Sequence, residues 1–375
     1  MPDLKITDIK LLANDSLTLA WADGTKSMFH SIWLRDNARG ADARHQGNDQ
    51  RLFDIHELPD DIAFVDATLS DDGSLLAVTF APDGYQTSYP ASWLNANAYD
   101  REKQEISSKI WDKTLKAEIP TAQYCEVSQD KKSRARWLRQ VDQQGFSILK
   151  DVPCVDGMVC KVAEIFGFVR VTNYGPLFDV KTEETPVNLA YTALGLNVHT
   201  DNPYRDPVPG LQLLHCLEAS ADGGETILID GFNIAETLRK DAPDDFALLA
   251  KYWIPFRFKD ETTDLQSRGP LIELDDRGVL QAVRYNNRSA APFDLPADIM
   301  PHYYRAFRRF AKMLHRPCFE LGFRLQAGDL MIFDNRRILH GRKGFSAGKR
   351  HLQGCYADKD SLRSELSILE RNTNG

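Results

Sequence analysis

Asn197-Val198-His199-Thr200-Asp201-Asn202-Pro203 sets an imidazole and a carboxylate two residues apart. Side chains of an extended segment alternate from face to face, so both groups point to the same side. A second histidine stands far downstream, in Arg337-Ile338-Leu339-His340-Gly341-Arg342. Two imidazoles and one carboxylate that leave the rest of a metal's coordination sphere open form the facial set of non-haem Fe(II) centres. The candidate ligands are therefore His199, Asp201 and His340, and the fold has to bring two distant segments together.

Working outward, residues 210–217 form an apolar run that reads as a strand buried on both faces. A turn at Asp222-Gly223-Gly224-Glu225 leads back into a strand over 226–230. Helical periodicity spans 232–251 and 297–316, strands are expected at 319–325, 330–334 and 350–356, and a last helix at 361–371. Upstream, a helix over 135–144, a strand over 145–153 and a helix over 159–166 open the same domain. Strands separated by long insertions, with ligands at both ends of the sequence, suit a double-stranded β-helix, or jelly roll, with helical insertions better than a βαβ sheet.

The first hundred residues follow another plan. Asp23-Gly24 and Asp83-Gly84 each join two alternating runs, the strongest short-range hairpin signal. Each hairpin is followed by a related segment, Ser31-Ile32-Trp33-Leu34 and Ser92-Trp93-Leu94. Residues 1–100 are thus expected to form a small β-rich domain, 101–134 a charged linker, and 135–375 the jelly-roll domain.

Composition is that of an ordinary globular chain, with 42% hydrophobic and 27% charged residues among 375. A formal net charge of -8 and the lack of a long basic run argue against nucleic acid as a partner. The six cysteines form no CxxC pair and read as reduced thiols. No apolar stretch approaches the length of a membrane span or a signal core, so a cytoplasmic location is expected.

Further motifs carry a resemblance. Leu213-Leu214-His215-Cys216, Gly223-Gly224-x-Thr226, Asp230-Gly231-Phe232, Phe333-Asp334-Asn335-Arg336-Arg337 and Arg350-His351-Leu352-x-Gly354-x-Tyr356-Ala357-Asp358, with Trp33-Leu34-Arg35-Asp36-Asn37, accompany the His-x-Asp and His340 segments. Together they resemble the γ-butyrobetaine dioxygenase branch of the taurine-dioxygenase-like, 2-oxoglutarate-dependent oxygenases, nearly end to end. The resemblance implies Fe(II), 2-oxoglutarate as cosubstrate, O2, stimulation by ascorbate, and a homodimer. It places Arg350 and Thr226 on the far carboxylate of 2-oxoglutarate, with Leu214 beside them. It places Tyr174, Phe178, Tyr191 and Tyr356 around a quaternary ammonium group, which ring faces attract, and Asn188 and Asn287 on the substrate's anionic end, with Asn202 among the substrate-binding residues.

The chain departs from the branch twice. The branch carries a cysteine cluster after Leu-Arg-Asp-Asn that holds a structural zinc, whereas Ala38-Arg39-Gly40-Ala41-Asp42-Ala43-Arg44-His45 has no cysteine. No structural zinc is therefore expected. Arg288 stands where an apolar residue is expected, and a planar guanidinium matches a phosphonate better than amides do. The sequence thus looks like relatives that hydroxylate 2-(trimethylammonio)ethylphosphonate at the carbon next to phosphorus, with γ-butyrobetaine hydroxylation, or a non-catalytic jelly-roll binding protein, as the alternatives.

Overall fold

Hairpins organise the N-terminal part. β1 (Ile6–Ala13), β2 (Ser16–Trp21) and β3 (Lys26–His30) form one antiparallel meander, and β4 (Ala63–Leu69), β5 (Leu75–Ala81) and β6 (Gln86–Pro90) form another. Gly24 closes the β2–β3 hairpin at φ +83°, a left-handed conformation that costs glycine little. In β5, Leu76, Val78 and Phe80 are buried and alternate with less buried residues, so one face of the meander carries the core. The two Ser-x-Trp-Leu-like segments fold as short helices, α1 (Ser31–Asp36) and α2 (Ala91–Asn97). Within the cysteine-free stretch, the Arg44 guanidinium donates to the carbonyls of Ala38 and Asp36 and to Asn37 Oδ1.

The computed structural model describes residues 5–13, 15–101, 108–181, 195–220, 223–345 and 349–373. It divides into two compact units, Met1–Glu105 and Ile106–Gly375. Inside the stretch read as a linker, β7 (Thr121–Gln123) and α3 (Tyr124–Gln129) belong to the second unit. α4 (Lys131–Gln144) starts at Asp130, whose carboxylate accepts from Ser133 N at 2.8 Å. There follow β8 (Phe146–Lys150), α5 (Met158–Ala163), β9 (Val169–Arg170), β10 (Phe178–Lys181), β11 (Leu196–His199), β12 (Leu211–Ala219) and β13 (Thr226–Asp230).

The helix expected over 232–251 is two helices, α6 (Gly231–Asp241) and α7 (Pro243–Lys251). Pro243 has no N–H to continue the first helix but fits the opening turn of the second. Two hairpins unannounced by the sequence pattern come next, β14 (Ile254–Lys259) with β15 (Asp264–Gly269) and β16 (Ile272–Leu274) with β17 (Leu280–Val283). α8 (Met300–Leu314), β18 (Leu321–Phe323), β19 (Leu330–Asp334), β20 (Ile338–Arg342), β21 (Arg350–Ala357) and α9 (Lys359–Thr373) complete the chain. Among the described residues no helix is long and apolar enough to cross a membrane.

The result is a β-rich fold with helices. One sheet runs β10-β21-β12-β19-β8-β7 with β9 beside β21, and a smaller one runs β11-β20-β13-β18. Leu228, Leu321 and Ile338 of the smaller sheet pack with Phe146, Met331, Phe333 and Leu352 of the larger, so the two sheets share a core. Leu211 and Leu213, on the other face of β12, pack with Trp137 and Leu138 of α4 and Leu362 and Leu366 of α9. β12 is therefore buried on both faces, as its unbroken apolar run requires.

One ion pair ties the layers. Arg337, 1% exposed, gives two hydrogen bonds to Asp230, at 3.0 and 2.7 Å, and others to the carbonyls of Gln143 and Lys109. Asp230 in turn accepts from the backbone N–H of Trp111 and Phe232. Arg337→Met leaves that carboxylate buried without its cation and should cost about 3–5 kcal/mol of stability, read as a lower urea midpoint. A midpoint equal to wild type would show that the pair carries no net stability.

Candidate active site

Register brings the candidate ligands together. β11 pairs antiparallel with β20, and His199 lies directly opposite His340. Their ring centroids are 4.5 Å apart. Asp201, two residues past His199, turns Oδ1 to within 3.2 Å of His199 Nε2 and 3.9 Å of His340 Nε2. One ligand atom from each of the three lies within 4.8 Å of the others, and among the described residues they are the one group of three such side chains so placed.

The donor set fits a divalent metal. His199 Nδ1 lies 2.8 Å from the Asn197 carbonyl, which places its proton there and turns the Nε2 lone pair toward Asp201. Burial, with His199 close by, pulls the His340 imidazole down to about 3, so it is neutral, the form that ligates. Its Nδ1 is buried without a partner. Two lone pairs and a carboxylate oxygen gathered at one point repel unless a cation lies among them.

Asp201 is held from behind. Burial pushes its carboxyl up, but the contacts with His199 and His340 outweigh it and keep the group ionised. Tyr356 donates to Asp201 Oδ2 at 2.8 Å, leaving Oδ1 for the imidazoles. Burial and the Asp201 charge drive the Tyr356 phenol far up, so it remains a donor. Asn335, fully buried, accepts from Asp201 N at 2.6 Å and donates to Asp201 O at 2.9 Å. In the sequence Asn335 stands out only as part of a motif; its signal is a polar residue just past an otherwise buried strand.

The triad opens into a cavity of about 500 Å³, a size suited to small ligands. Arg350, Thr226 and Leu214 line one part of it. Burial, with Arg342 nearby, lowers the Arg350 guanidinium to about 10, which still leaves it charged at neutral pH. Among the described residues it has no carboxylate partner, so a cation in the wall awaits an anion. Gly354, opposite Phe178, is required by close packing, since a Cβ there would lie 2.4 Å from the Phe178 ring.

Aromatic rings line another part. Tyr174, Phe178 and Tyr356, expected around a quaternary ammonium group, line the cavity together with Tyr204 and Phe258, which the sequence did not single out. The rings form a continuous series: Tyr356 to Phe178 at 5.2 Å, Phe178 to Tyr174 at 6.4 Å, Tyr174 to Phe258 at 6.1 Å and Phe258 to Tyr204 at 5.2 Å. Phe258 was detectable as an aromatic two residues from core Phe256 on one strand.

Asn202 also lines the cavity, at φ +53°, a left-handed conformation that asparagine tolerates better than most residues. Its Oδ1 accepts from Tyr204 OH at 2.6 Å, while its Nδ2 is buried and unpartnered. Arg288 reaches the cavity, and among the described residues no acceptor takes its guanidinium. Asn287 is exposed, as Arg288 also is, but lies off the cavity wall. Its neighbour Asn286 lines the cavity instead, but its amide is spent on Thr200 O and Arg288 N. Asn188 and Tyr191 fall outside the described residues.

Residues 111–356 match the family of taurine catabolism dioxygenase TauD, TfdA. This chain belongs to that family. Residues 11–95 match the gamma-butyrobetaine hydroxylase-like N-terminal family. The chain is 40% identical to the gamma-butyrobetaine dioxygenase of Pseudomonas sp. (strain AK-1), over 95% of this chain and 94% of that one. It is 30% identical to the human gamma-butyrobetaine dioxygenase, over 96% of both. It is also 30% identical to the mitochondrial trimethyllysine dioxygenase of Mus musculus, over 95% of this chain and 86% of that one. The protein is a 2-oxoglutarate-dependent non-haem iron dioxygenase of the γ-butyrobetaine branch, using Fe(II) and 2-oxoglutarate.

His340→Ala should abolish iron retention and succinate formation together, measured as metal content after gel filtration and as succinate released. A variant that keeps its iron and still makes succinate removes His340 from the ligand set. Tyr356→Phe, which takes away the donor on Asp201, should weaken iron binding by about 10–100-fold, and an unchanged affinity would show that Asp201 needs no such support.

Proposed function

We propose that this enzyme hydroxylates a small zwitterion of the γ-butyrobetaine type, with His199, Asp201 and His340 holding iron inside a double-stranded β-helix formed by the two sheets. The observation that carries this reading is one cavity with an aromatic series on one part of its wall and, beside Asp201, an orphaned amide donor and a guanidinium. A trimethylammonium against Tyr174, Phe178 and their neighbours gains about 0.5–2 kcal/mol per well-placed ring. A carboxylate would accept from Asn202 Nδ2 and Arg288. Tyr356 bonds to Asp201 and Asn202 follows it in sequence, so cation and anion subsites flank the metal ligands. When bound, iron and 2-oxoglutarate supply the oxidant for an unactivated C–H bond, with succinate and CO2 as coproducts. The protein's part is to fix both ends of the substrate so that one carbon between them faces the ligands.

The phosphonate expected from Arg288 has no counterpart in the names of the relatives above, and the carboxylate has the better backing. One observation favours the phosphonate as a second reading: the Arg288 guanidinium, without a protein acceptor among the described residues, suits an anion with more oxygens than a carboxylate. Succinate release with γ-butyrobetaine, trimethyllysine and 2-(trimethylammonio)ethylphosphonate tests both. γ-Butyrobetaine is expected to give the highest kcat/KM, and Arg288→Ala to reduce it roughly 10–100-fold, the worth of a charge-assisted hydrogen bond. Preference for the phosphonate, with the larger Arg288→Ala loss on that substrate, would replace the first reading by the second. Turnover of none of the three would overturn both.

A further inference from the structure

Gln212 is an unexplained polar group in the cavity wall. It lies on β12, is 2% exposed, and lines the cavity. Its Oε1 is buried without a partner, and among the described residues its amide makes no hydrogen bond at all. Around it β12, β19 and β21 turn the apolar Leu214, Met331 and Leu352 to the wall, and the polar Tyr356 of β21 is already bonded to Asp201. Evolution rarely keeps a buried amide unsatisfied unless something absent from the protein satisfies it.

Register tells which end of the cavity the amide serves. Gln212 lies directly opposite Tyr356 on β21 and opposite Phe333 on β19. Tyr356 hydrogen-bonds Asp201, and the Phe333 ring packs 4.7 Å from the His340 ring. Gln212 therefore occupies the row of the sheet that backs the metal ligands. Arg350 and Leu352 lie toward the other end of β21, opposite Ala219 and Cys216.

2-Oxoglutarate carries two carboxylates. Arg350 and Thr226 suit the one far from the metal, and the near one needs a donor of its own, the Tyr356 hydroxyl being already committed to Asp201. We infer that Gln212 is a cosubstrate-binding residue whose amide N–H donates to the carboxylate of 2-oxoglutarate next to the metal. Whichever way the amide is turned, its NH2 is the group a carboxylate can use. This assignment holds for any zwitterion the enzyme hydroxylates.

Anaerobic titration of the Fe(II)-loaded enzyme with 2-oxoglutarate, followed by the visible absorption of the chelated cosubstrate, tests it without turnover. Gln212→Leu should raise the 2-oxoglutarate Kd by roughly 10-fold or more, leave the KM of the zwitterion within about twofold, and raise the melting temperature of the metal-free protein, because an unpaired buried amide is gone. Gln212→Glu, of the same shape, sets like charges together and should weaken 2-oxoglutarate further. Should Gln212→Leu fold poorly, the Glu variant alone decides. A 2-oxoglutarate Kd equal to wild type in either folded variant overturns the inference and leaves Gln212 a buried amide satisfied by water.

Discussion

The antiparallel pairing of β11 with β20 is the constraint on which the active site rests. It sets His199 across from His340, although 140 residues separate them in the chain. Side chains alternate along a strand, so a slip of one residue would turn His340 to the opposite face and put Gly341 in its place. Slippage is opposed on the other edge of β20, where β13 pairs with it from Thr226 through Asp230. A ligand strand held between two neighbours has little freedom to choose another register.

Beyond that strand, polar groups buried at high cost are each matched to a structural task. Asp230 and Arg337 neutralise each other and also bind backbone from Lys109, Trp111 and Gln143, so one charge pair anchors several otherwise unrelated segments. Asn335 closes its amide on Asp201 and on Pro209 O, fixing the turn that follows the first histidine. Of the buried polar atoms without a partner, Asn202 Nδ2, Gln212 Oε1 and His340 Nδ1 lie on residues that line the cavity, while others, on Trp137, His215 and Tyr303, lie away from it. Satisfied polar groups thus hold the scaffold, and in the cavity wall the unsatisfied ones are available to a ligand.

The metal end was legible in the sequence because few residue types can ligate and their spacing follows strand periodicity. The hairpins of the first unit were legible for a similar reason: Asp-Gly specifies its turn locally. Other features depend on tertiary context. Pro243 splits a helix whose apolar periodicity runs through it, and the periodicity alone concealed the break. Tyr204 and Phe258 enter the aromatic wall from a loop and a hairpin that no local pattern connects. Asn287 and Asn286 differ only in which one the chain turns inward, a choice made by the hydrogen bonds of Asn286 to Thr200 and Arg288 rather than by residue type.

Thr200 has a consequence for how such an enzyme can change. Its backbone and hydroxyl pair with Tyr285, and Asn286 closes on its carbonyl, so the loop that presents Arg288 is bolted to the ligand strand between His199 and Asp201. Among the described residues, the Arg288 side chain itself braces no neighbour. Selection can exchange the head group there while the bolts stay in place, so a lineage can try new anions without reassembling its oxidation machinery.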